Sequence, residues 1–340
     1  MRYVDRIKWR AGYELDKSKK QTEDLFWSIT GKFSKPGPKP SIKRLETKGS
    51  TEVDSFWGEH TVDVTQFKSA FQSRKHLAWR ARSYPLFPEF MNLYGNHDDE
   101  VVLDYGCGPG NDIVGYSIYT NASKIIGIDI SAKALRMAQH RLSLHNVAPK
   151  RVELIHSADT EPIVPLGDES VDYLQCLGVL HHTSHPEELL KEFHRVLKPN
   201  KEARVMVYNR DSVWVHLYAA YEKLVVQNLF PGKNVYEIFH RTVDVDDDGV
   251  GNCPVARCHD WKEFSALCET NGFQTEYLGG YHSEVELKAL SNSLKPALND
   301  ERLPQEHRRF LAELSFDENG LPLYQEKHAG LGGVYRLFKK

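Results

Sequence analysis

The stretch VVLDYGCGPGND, residues 101–112, joins a short apolar run to a turn with three glycines. The run has the composition of a buried strand, and a glycine-rich turn after such a strand is typical of cofactor sites in α/β proteins. Dinucleotide-binding turns have the spacing G-x-G-x-x-G. Here Gly106, Gly108 and Gly110 give G-x-G-x-G, and Asn111 stands where the third glycine of that pattern is required.

Acidic residues lie at or near the ends of the first three predicted strands. Asp104 lies in the first strand, Asp129 ends the second, KIIGIDIS (residues 124–131), and Asp159 ends the third, RVELIHSAD. A carboxylate at Asp104 suits the sulfonium and ammonium groups of S-adenosylmethionine. Asp129 can accept hydrogen bonds from ribose hydroxyls, which both a dinucleotide and S-adenosylmethionine carry. Asp159 can accept from an adenine amino group, and this third acidic position favours S-adenosylmethionine over a dinucleotide.

Strands and helices alternate from residue 101 onward, which predicts an α/β fold with a Rossmann-like, doubly wound sheet. We expect seven strands, mostly parallel with an antiparallel edge, and helices on both faces. The predicted strands span residues 101–106, 124–131, 151–159, 171–180, 202–209, 273–281 and 332–340. Two long connections, roughly 211–260 and 283–328, have the length of lids or binding loops.

The chain divides into an extension and one domain. Residues 1–50 carry 13 Lys/Arg against 6 Asp/Glu and include SKPGPKPS, which predicts a basic, partly flexible N-terminal extension. Residues 51–340 form the domain. Its expected parts are helices in 55–95, a cofactor-binding core in 98–210, a lid insertion in 211–260, and C-terminal strands with a second insertion in 261–340.

Composition limits the class of protein. The 340 residues have a formal net charge of -3 and 27% charged residues, which is ordinary for a globular protein and demands no polyanionic partner. The five cysteines are odd in number, which favours reduced thiols and a cytoplasmic location. The N-terminus lacks the apolar segment of a signal peptide, and no apolar run is long enough for a transmembrane helix.

Two stretches resemble metal sites, and neither predicts one. Cys253, Cys258 and His259 lack the paired spacing of four zinc ligands. The stretch DVDDDG at residues 244–249 resembles the start of a calcium loop, but its twelfth position is Val255 where the closing Glu is required. We therefore expect no metal.

The motifs DYGCGPG, GIDIS, SAD and CLGVLHHTSHPEELLKEFHRVLKP together resemble the class I S-adenosylmethionine-dependent methyltransferases. Within that class the chain is similar to the branch with the quinone-biosynthesis and small-molecule enzymes. The resemblance covers about residues 80–210 and the final strands. It implies S-adenosylmethionine as the cofactor and S-adenosylhomocysteine as the product. The basic extension and the two insertions depart from the family, so it implies nothing about substrate residues.

The resemblance also implies which residues bind the cofactor. The glycine turn, with Cys107, would line it, Ile130 would pack against the adenine, and Cys176 would lie beside the methionine part. One of Arg80, Arg82 and Tyr84 is expected at the cofactor's carboxylate, with Arg82 chosen. The full expected set is Asp104, Gly106, Cys107, Gly108, Gly110, Asp129, Ile130, Ala158, Asp159, Cys176 and Arg82.

Methyl transfer depends mainly on positioning, and a hydroxyl or carboxyl acceptor also uses a general base. His181 and His182 follow the fourth strand, and Tyr208 ends the fifth, so these are the catalytic candidates. The alternative for the two histidines is a structural role beside the next helix. Substrate contacts are expected from the strand end and the following helix, at Asn209, Arg210, Trp214 and Tyr218; the aromatic residues there also fit a core stripe.

The predicted function is transfer of a methyl group to an oxygen, nitrogen or carbon atom of a small, partly hydrophobic molecule. One alternative is an RNA or protein methyltransferase that uses the basic extension for docking. It is disfavoured because the fourth strand ends in CLGV and not in an N-P-P-Y-type motif. Another alternative is a module that binds the cofactor without catalysis.

Overall fold

A computed structural model describes residues 36–45, 49–62, 65–244 and 253–340. Most of the predicted basic extension, residues 1–35 and 46–48, lies outside the described residues. The same holds for the acidic stretch after Asp244, residues 245–252. Within the described ranges, no helix is both long enough and apolar enough to cross a lipid bilayer.

A sheet of nine strands forms the centre of the fold. Its order is β1-β4-β3-β2-β5-β6-β12-β8, and β7 pairs with β6. The strands are β1 (Ile42–Arg44), β2 (Val101–Tyr105), β3 (Lys124–Asp129), β4 (Val152–His156), β5 (Val171–Leu177), β6 (Leu197–Asn209), β7 (Cys258–His259), β8 (Gln274–Tyr281) and β12 (Gly332–Phe338). Strands β1 to β7 pair in parallel, whereas β12 runs antiparallel to both β6 and β8. The predicted mostly parallel sheet with an antiparallel edge is confirmed.

Two of the nine strands were not predicted. Strand β1 falls inside the stretch assigned to the extension, where Ile42 pairs with Leu154 at the sheet edge and packs against the core. Strand β7 pairs with the end of β6 at Tyr208 and Asn209. Segments of two or three residues are too short to display a periodic pattern, and tertiary pairing alone makes them strands.

Helices cover both faces of the sheet, as predicted. They are α1 (Glu52–Glu59), α2 (Ala70–Ser83), α3 (Phe87–Phe90), α4 (Asn111–Tyr119), α5 (Ala132–Leu144), α6 (Pro186–Val196) and α9 (Trp261–Thr270). Strand β2 is buried on both faces: Val102 packs with α4 and α5, and Leu103 packs with α6 and α9. This alternation explains why the strand is an unbroken apolar run.

Besides the two apolar cores on the faces of the sheet, the two long insertions form a third apolar core. Helices α7 (Trp214–Val226), with π-helical hydrogen bonding, and α8 (Val235–Thr242) come from the first. Helices α10 (Glu284–Asn299) and α11 (Gln305–Ala312) come from the second, with a small sheet of β9 (Ser315–Phe316), β10 (Pro322–Tyr324) and β11 (Lys327–His328). Their apolar side chains pack together as one cluster, which places both insertions over the end of β6.

A buried arginine joins the N-terminal helices to this frame. Arg141 of α5 is 2% exposed. It donates from Nε to Ser73 Oγ of α2 at 2.7 Å and hydrogen bonds to the side chain of Asn111 at the start of α4. Its guanidinium lies 4.3 Å from the ring centroid of Phe67. Helix α2 also contributes to the site described below, so Arg141 stabilises the position of one of the helices that form that site.

The variant Arg141→Ala is expected to lower the free energy of unfolding by about 3 kcal/mol, because buried partners of a charged donor lose their hydrogen bonds. Urea denaturation followed by circular dichroism measures this. Arg136→Ala, on the exposed face of the same helix, is the matched control and should change stability by less than about 0.5 kcal/mol. Equal effects of the two variants would contradict the assignment.

Candidate functional site

A cavity of about 700 Å³ opens at the carboxyl ends of the parallel strands. Small-molecule sites of roughly 300–1,000 Å³ are usual at this position in open α/β sheets. One side is formed by the glycine turn and the ends of β3 and β4. The other side, here called the apolar wing, is formed by α2, α3, the two insertions, the end of β8 and the residue before β12. The apolar wing is lined by Tyr84, Phe87, Trp214, Tyr281, Val285 and Leu331.

The glycine turn is held by Asp129. Its Oδ2 accepts from the Gly108 N–H at 2.7 Å, and its Oδ1 accepts from the Ser131 N–H at 2.7 Å. Gly110 has a φ of 82°, and a Cβ there would lie 2.8 Å from Cβ of Ala138. The third glycine therefore serves close packing of the turn against α5 and does not line the cavity.

Carboxylates accumulate beside the turn. Asp104, 2% exposed, and Asp112, 4% exposed, both line the cavity. Arg80 from α2 pairs with Asp112 at 2.5 Å, and Gln175 bridges Asp112 at 2.9 Å and Asp104 at 3.4 Å. Burial, together with the nearby charge of Asp112, raises the pKa of Asp104 well above its ordinary value. A cationic ligand here would stabilise the ionised form of Asp104.

Asp159 is placed for a ligand by its neighbours. Its Oδ1 accepts from the Thr183 hydroxyl at 2.5 Å, and its backbone N–H donates to Asp54 of α1 at 2.7 Å. Its Oδ2 is buried and has no hydrogen-bond partner among the described residues, although the residue lines the cavity. A buried acceptor without a partner is costly, and a ligand donor removes that cost.

His182 and Tyr208 line the cavity and meet at Asp244. The Tyr208 hydroxyl donates to Asp244 Oδ1 at 2.7 Å, and His182 Nε2 lies 3.3 Å from Oδ2. His182 Nδ1 contacts the Val255 carbonyl at 2.6 Å and Cys253 Sγ at 3.4 Å. Burial lowers the pKa of His182, but Asp244 and Cys253 outweigh it and raise the pKa to about 10. An imidazole that is protonated at neutral pH and engaged at both nitrogens is a poor general base.

His181 lies outside the cavity lining and is fully buried. Its ring centroid is 3.8 Å from that of Tyr208, and neither ring nitrogen has a partner among the described residues. Burial and the neighbouring His182 hold its pKa well below the ordinary value. This geometry corrects the expectation of a catalytic role and favours the structural alternative, because His181 supports Tyr208 from behind.

Several expected cofactor residues do not reach the cavity. Arg82 is exposed, and Arg80 lines the cavity instead; residues two apart on a helix face different directions. Cys176 is fully buried in the core, and the next residues, Leu177 and Gly178, line the cavity. Ala158 is likewise absent from the lining, whereas its neighbours Ser157 and Asp159 belong to it.

Three expected substrate residues lie outside the cavity lining. Asn209 is 1% exposed and donates to the carbonyl of Gly330 at 3.1 Å. Arg210 pairs with Asp260 at 2.8 Å. Tyr218 packs against Trp214, with ring centroids 4.7 Å apart. Of this group only Trp214 lines the cavity. The other expected lining residues are present: Asp104, Gly106, Cys107, Gly108, Asp129, Ile130 and Asp159.

Sequence reasoning missed residues that the insertions and α1 bring in. Trp57 of α1 lines the cavity and packs edge-on against His182, with ring centroids 4.9 Å apart. Asp244, the first residue of the stretch that resembles a calcium loop, also lines the cavity. Glu286 of α10 lines the cavity and carried one signal, the S-x-x-E capping box that begins at Ser283. Within the described part of the chain, no His, Cys, Asp and Glu side chains form a group of three that fits a metal.

Comparison with known proteins shows what the central part of the chain is similar to. Residues 103–203 match the family described as methyltransferase domain. Over this central part, the chain is therefore similar to S-adenosylmethionine-dependent methyltransferases. It is 25% identical to a ubiquinone biosynthesis O-methyltransferase of Hydrogenovibrio crunogenus, over 48% of this chain and 65% of the relative.

The chain is also 34% identical to an uncharacterized 37.1 kDa protein of transposon TN4556 from Streptomyces fradiae, over 38% of this chain and 35% of the relative. Each of these alignments spans less than two thirds of the relative's own length. Among solved structures, geranyl diphosphate C-methyltransferase from Streptomyces coelicolor is 13% identical, with a TM-score of 0.46, and the match covers 85% of this chain and 98% of that one.

The residues present fit the cofactor of the family, S-adenosylmethionine. The free Oδ2 of Asp159 is one open acceptor. Gly108 lines the cavity, and a Cβ added there would meet no atom within 4 Å, so the turn leaves space open beside it. The buried Asp104 carboxyl suits a ligand with a sulfonium and an ammonium. Asp129 and Ile130 complete the wall.

We expect Asp159→Asn to weaken binding of S-adenosylhomocysteine by roughly 10-fold or more, because an acceptor to a ligand donor is replaced by an amide. Isothermal titration calorimetry measures the affinity. Asp168→Asn, at a side chain that is 76% exposed and away from the cavity, is the control. An unchanged affinity in Asp159→Asn would show that this carboxylate does not contact the cofactor.

The raised pKa of His182 predicts a pH dependence of stability. Its pKa moves from 6.5 to about 10 in the folded protein, so protonation stabilises the fold fully below 6.5. This stabilisation of the fold is lost as the pH rises through the pKa of His182 in the folded protein, about 10. Between about pH 6 and about pH 10, the wild type should therefore lose more stability in urea than His182→Gln. His185→Gln serves as the control, and parallel loss in all three proteins would contradict the ion pair with Asp244.

Proposed function

We propose that the chain transfers a methyl group from S-adenosylmethionine to a small, partly hydrophobic metabolite. The observation that carries this proposal is the continuity of one cavity. It joins the acidic residues of the glycine turn to the apolar wing, and both lie within the same lining. A donor placed against Asp104, Asp129 and Asp159 would therefore have its acceptor space beside it and not across open solvent.

The apolar wing supports an acceptor with an aromatic or aliphatic body. Tyr84 and Tyr281 pack edge-on with ring centroids 6.1 Å apart, and Phe87 and Tyr281 do so at 5.1 Å. Rings held by one another present a fixed apolar wall, which orients a ligand with little loss of side-chain entropy. Trp214 adds a further aromatic surface from α7.

S-adenosylmethionine supplies a methyl group that is already activated by its positive sulfur. The contribution of the chain is then to bind, orient and exclude water. Arg80 and Asp112 fix each other beside Asp104, and Asp244 fixes the Tyr208 hydroxyl. With His182 protonated by its pairing, the site relies on placement of the acceptor more than on proton removal by that ring.

The position of the two insertions favours a small acceptor over a nucleic acid or protein chain. The apolar wing is covered by α7 and α10, which pack on each other through a shared core. A macromolecular acceptor needs an open groove along which a chain can lie, and here the insertions occupy the space above the end of β6. The predicted docking role of the basic extension concerns residues mostly outside the described ranges.

The proposal is tested with a donor that carries a labelled methyl group. The purified protein is incubated with this donor and an extract of the source organism, and products are separated by size. We expect label in a low-mass product, and we expect its loss with Asp129→Ala, which removes the residue that holds the turn. Asp168→Asn should keep the activity.

Label in RNA or protein would contradict the small-molecule acceptor. Donor binding without any labelled product would contradict catalysis and favour a binding module. Circular dichroism of Asp129→Ala separates loss of the cofactor site from loss of the fold, since a folded but inactive variant is the expected result.

A further inference from the structure

The buried carboxylate of Glu286 lies where the two insertions meet, in the wall of the apolar wing. Glu286 of α10 is 1% exposed and lines the cavity. Its Oε2 accepts from both the N–H and the hydroxyl of Ser283 at 2.9 Å, and its Oε1 accepts from the Trp214 N–H at 3.2 Å. These donors fix the carboxylate between α7 and α10.

None of these partners carries a positive charge. Within residues 36–45, 49–62, 65–244 and 253–340, no Lys, Arg or His approaches Glu286 within ion-pair distance. Arg80, the cation on the same side of the cavity, is taken by Asp112. Burial raises the pKa of Glu286 to about 7, although N–H donors lower it. A buried carboxylate without a counter-ion is normally expensive, and such groups are usually paired.

The neighbours of Glu286 also point to a ligand. Trp214 lines the cavity, and its backbone N–H donates to Glu286. The indole Nε1 of Trp214 is buried without a hydrogen-bond partner among the described residues, so it is open to donate to an acceptor atom on the same ligand. Tyr281 also borders the cavity and adds an aromatic face to the same wall. Aromatic faces around an anion are the surroundings in which organic cations bind well.

We propose that Glu286 is a specificity residue that binds a protonated amine, or another organic cation, on the methyl acceptor. The inference rests on the proposed function and narrows its acceptor class. A cation at this place completes the missing charge pair, while the aromatic residues of the apolar wing hold the adjoining carbon body. The proposal concerns recognition, so it applies whether the methyl group goes to that nitrogen or to another atom.

The first test uses the wild-type chain and needs no variant. The low-mass extract is divided by cation exchange into a cationic pool and a pool of neutral and anionic molecules. Each pool is then incubated with the labelled donor. Methyl acceptance confined to the cationic pool supports the inference. Acceptance confined to the other pool overturns it while the proposed methyl transfer stands, and acceptance in neither overturns both.

The second test replaces the charge and keeps the shape. Glu286→Gln retains a residue that a capping box accepts. With acceptor purified from the cationic pool, we expect its KM to rise roughly 30-fold or more, as for truncation of one partner of a buried charge pair. The affinity for S-adenosylhomocysteine should stay within about twofold of the wild type, because other carboxylates of the chain, Asp104, Asp129 and Asp159, are proposed to bind the cofactor.

The matched control is Glu237→Gln. Glu237 occupies the same capping-box position at the start of α8, but its side chain is 41% exposed and lies outside the cavity lining. It should leave both constants unchanged, and thermal unfolding of both variants checks folding. An unchanged acceptor KM in Glu286→Gln overturns the inference. So does weakened binding of S-adenosylhomocysteine alone, which would assign Glu286 to the donor's ammonium group.

Discussion

The site depends on negative charge that the protein itself leaves incompletely balanced. Asp104 and Asp112 are both nearly buried beside the glycine turn, and Arg80 pairs with the second of them. Burial of Asp104 and the nearby negative charge of Asp112 raise the pKa of Asp104. In a medium of low polarity, charges interact strongly, so a cationic ligand is stabilised there, and so are the carboxylates that receive it.

The two insertions cover the open end of the parallel sheet. The carboxyl ends of parallel strands leave a crevice that a compact core cannot fill. Helices α7 and α10 cover that crevice and bury their apolar faces against each other, which gives them a core separate from those of the sheet. They also bring Trp214 and Glu286 to the cavity from opposite insertions. Positions far apart in the sequence thereby form one wall.

Much of the fold was predictable because its signals are local. The apolar run of β2, the stripe of α6 and the capping hydroxyl of Ser131, which accepts from the Ala134 N–H at 3.2 Å, each express a pattern within a few residues. Strand β1 carries no such pattern, since three residues become a strand only through pairing with β4. The short strand β7 was missed for the same reason.

The site was predictable to the extent that strand ends define it. Asp104, Asp129 and Asp159 lie near, at or just after strand ends, and all three line the cavity. Arg82 was chosen over Arg80 because the sequence does not reveal which way a helix is turned. Asp244 and Glu286 were missed because their partners lie in other segments of the chain. Their roles depend on how the insertions fold back, which no local pattern encodes.

We propose that one cavity holds the donor on its acidic side and leaves the apolar wing for the acceptor. A crystal structure of the chain with S-adenosylhomocysteine tests this arrangement. We expect the nucleoside against Asp129 and Asp159, with the space between Trp214, Tyr281 and Glu286 still open. Density for the cofactor within the apolar wing, or at a separate surface, would contradict it.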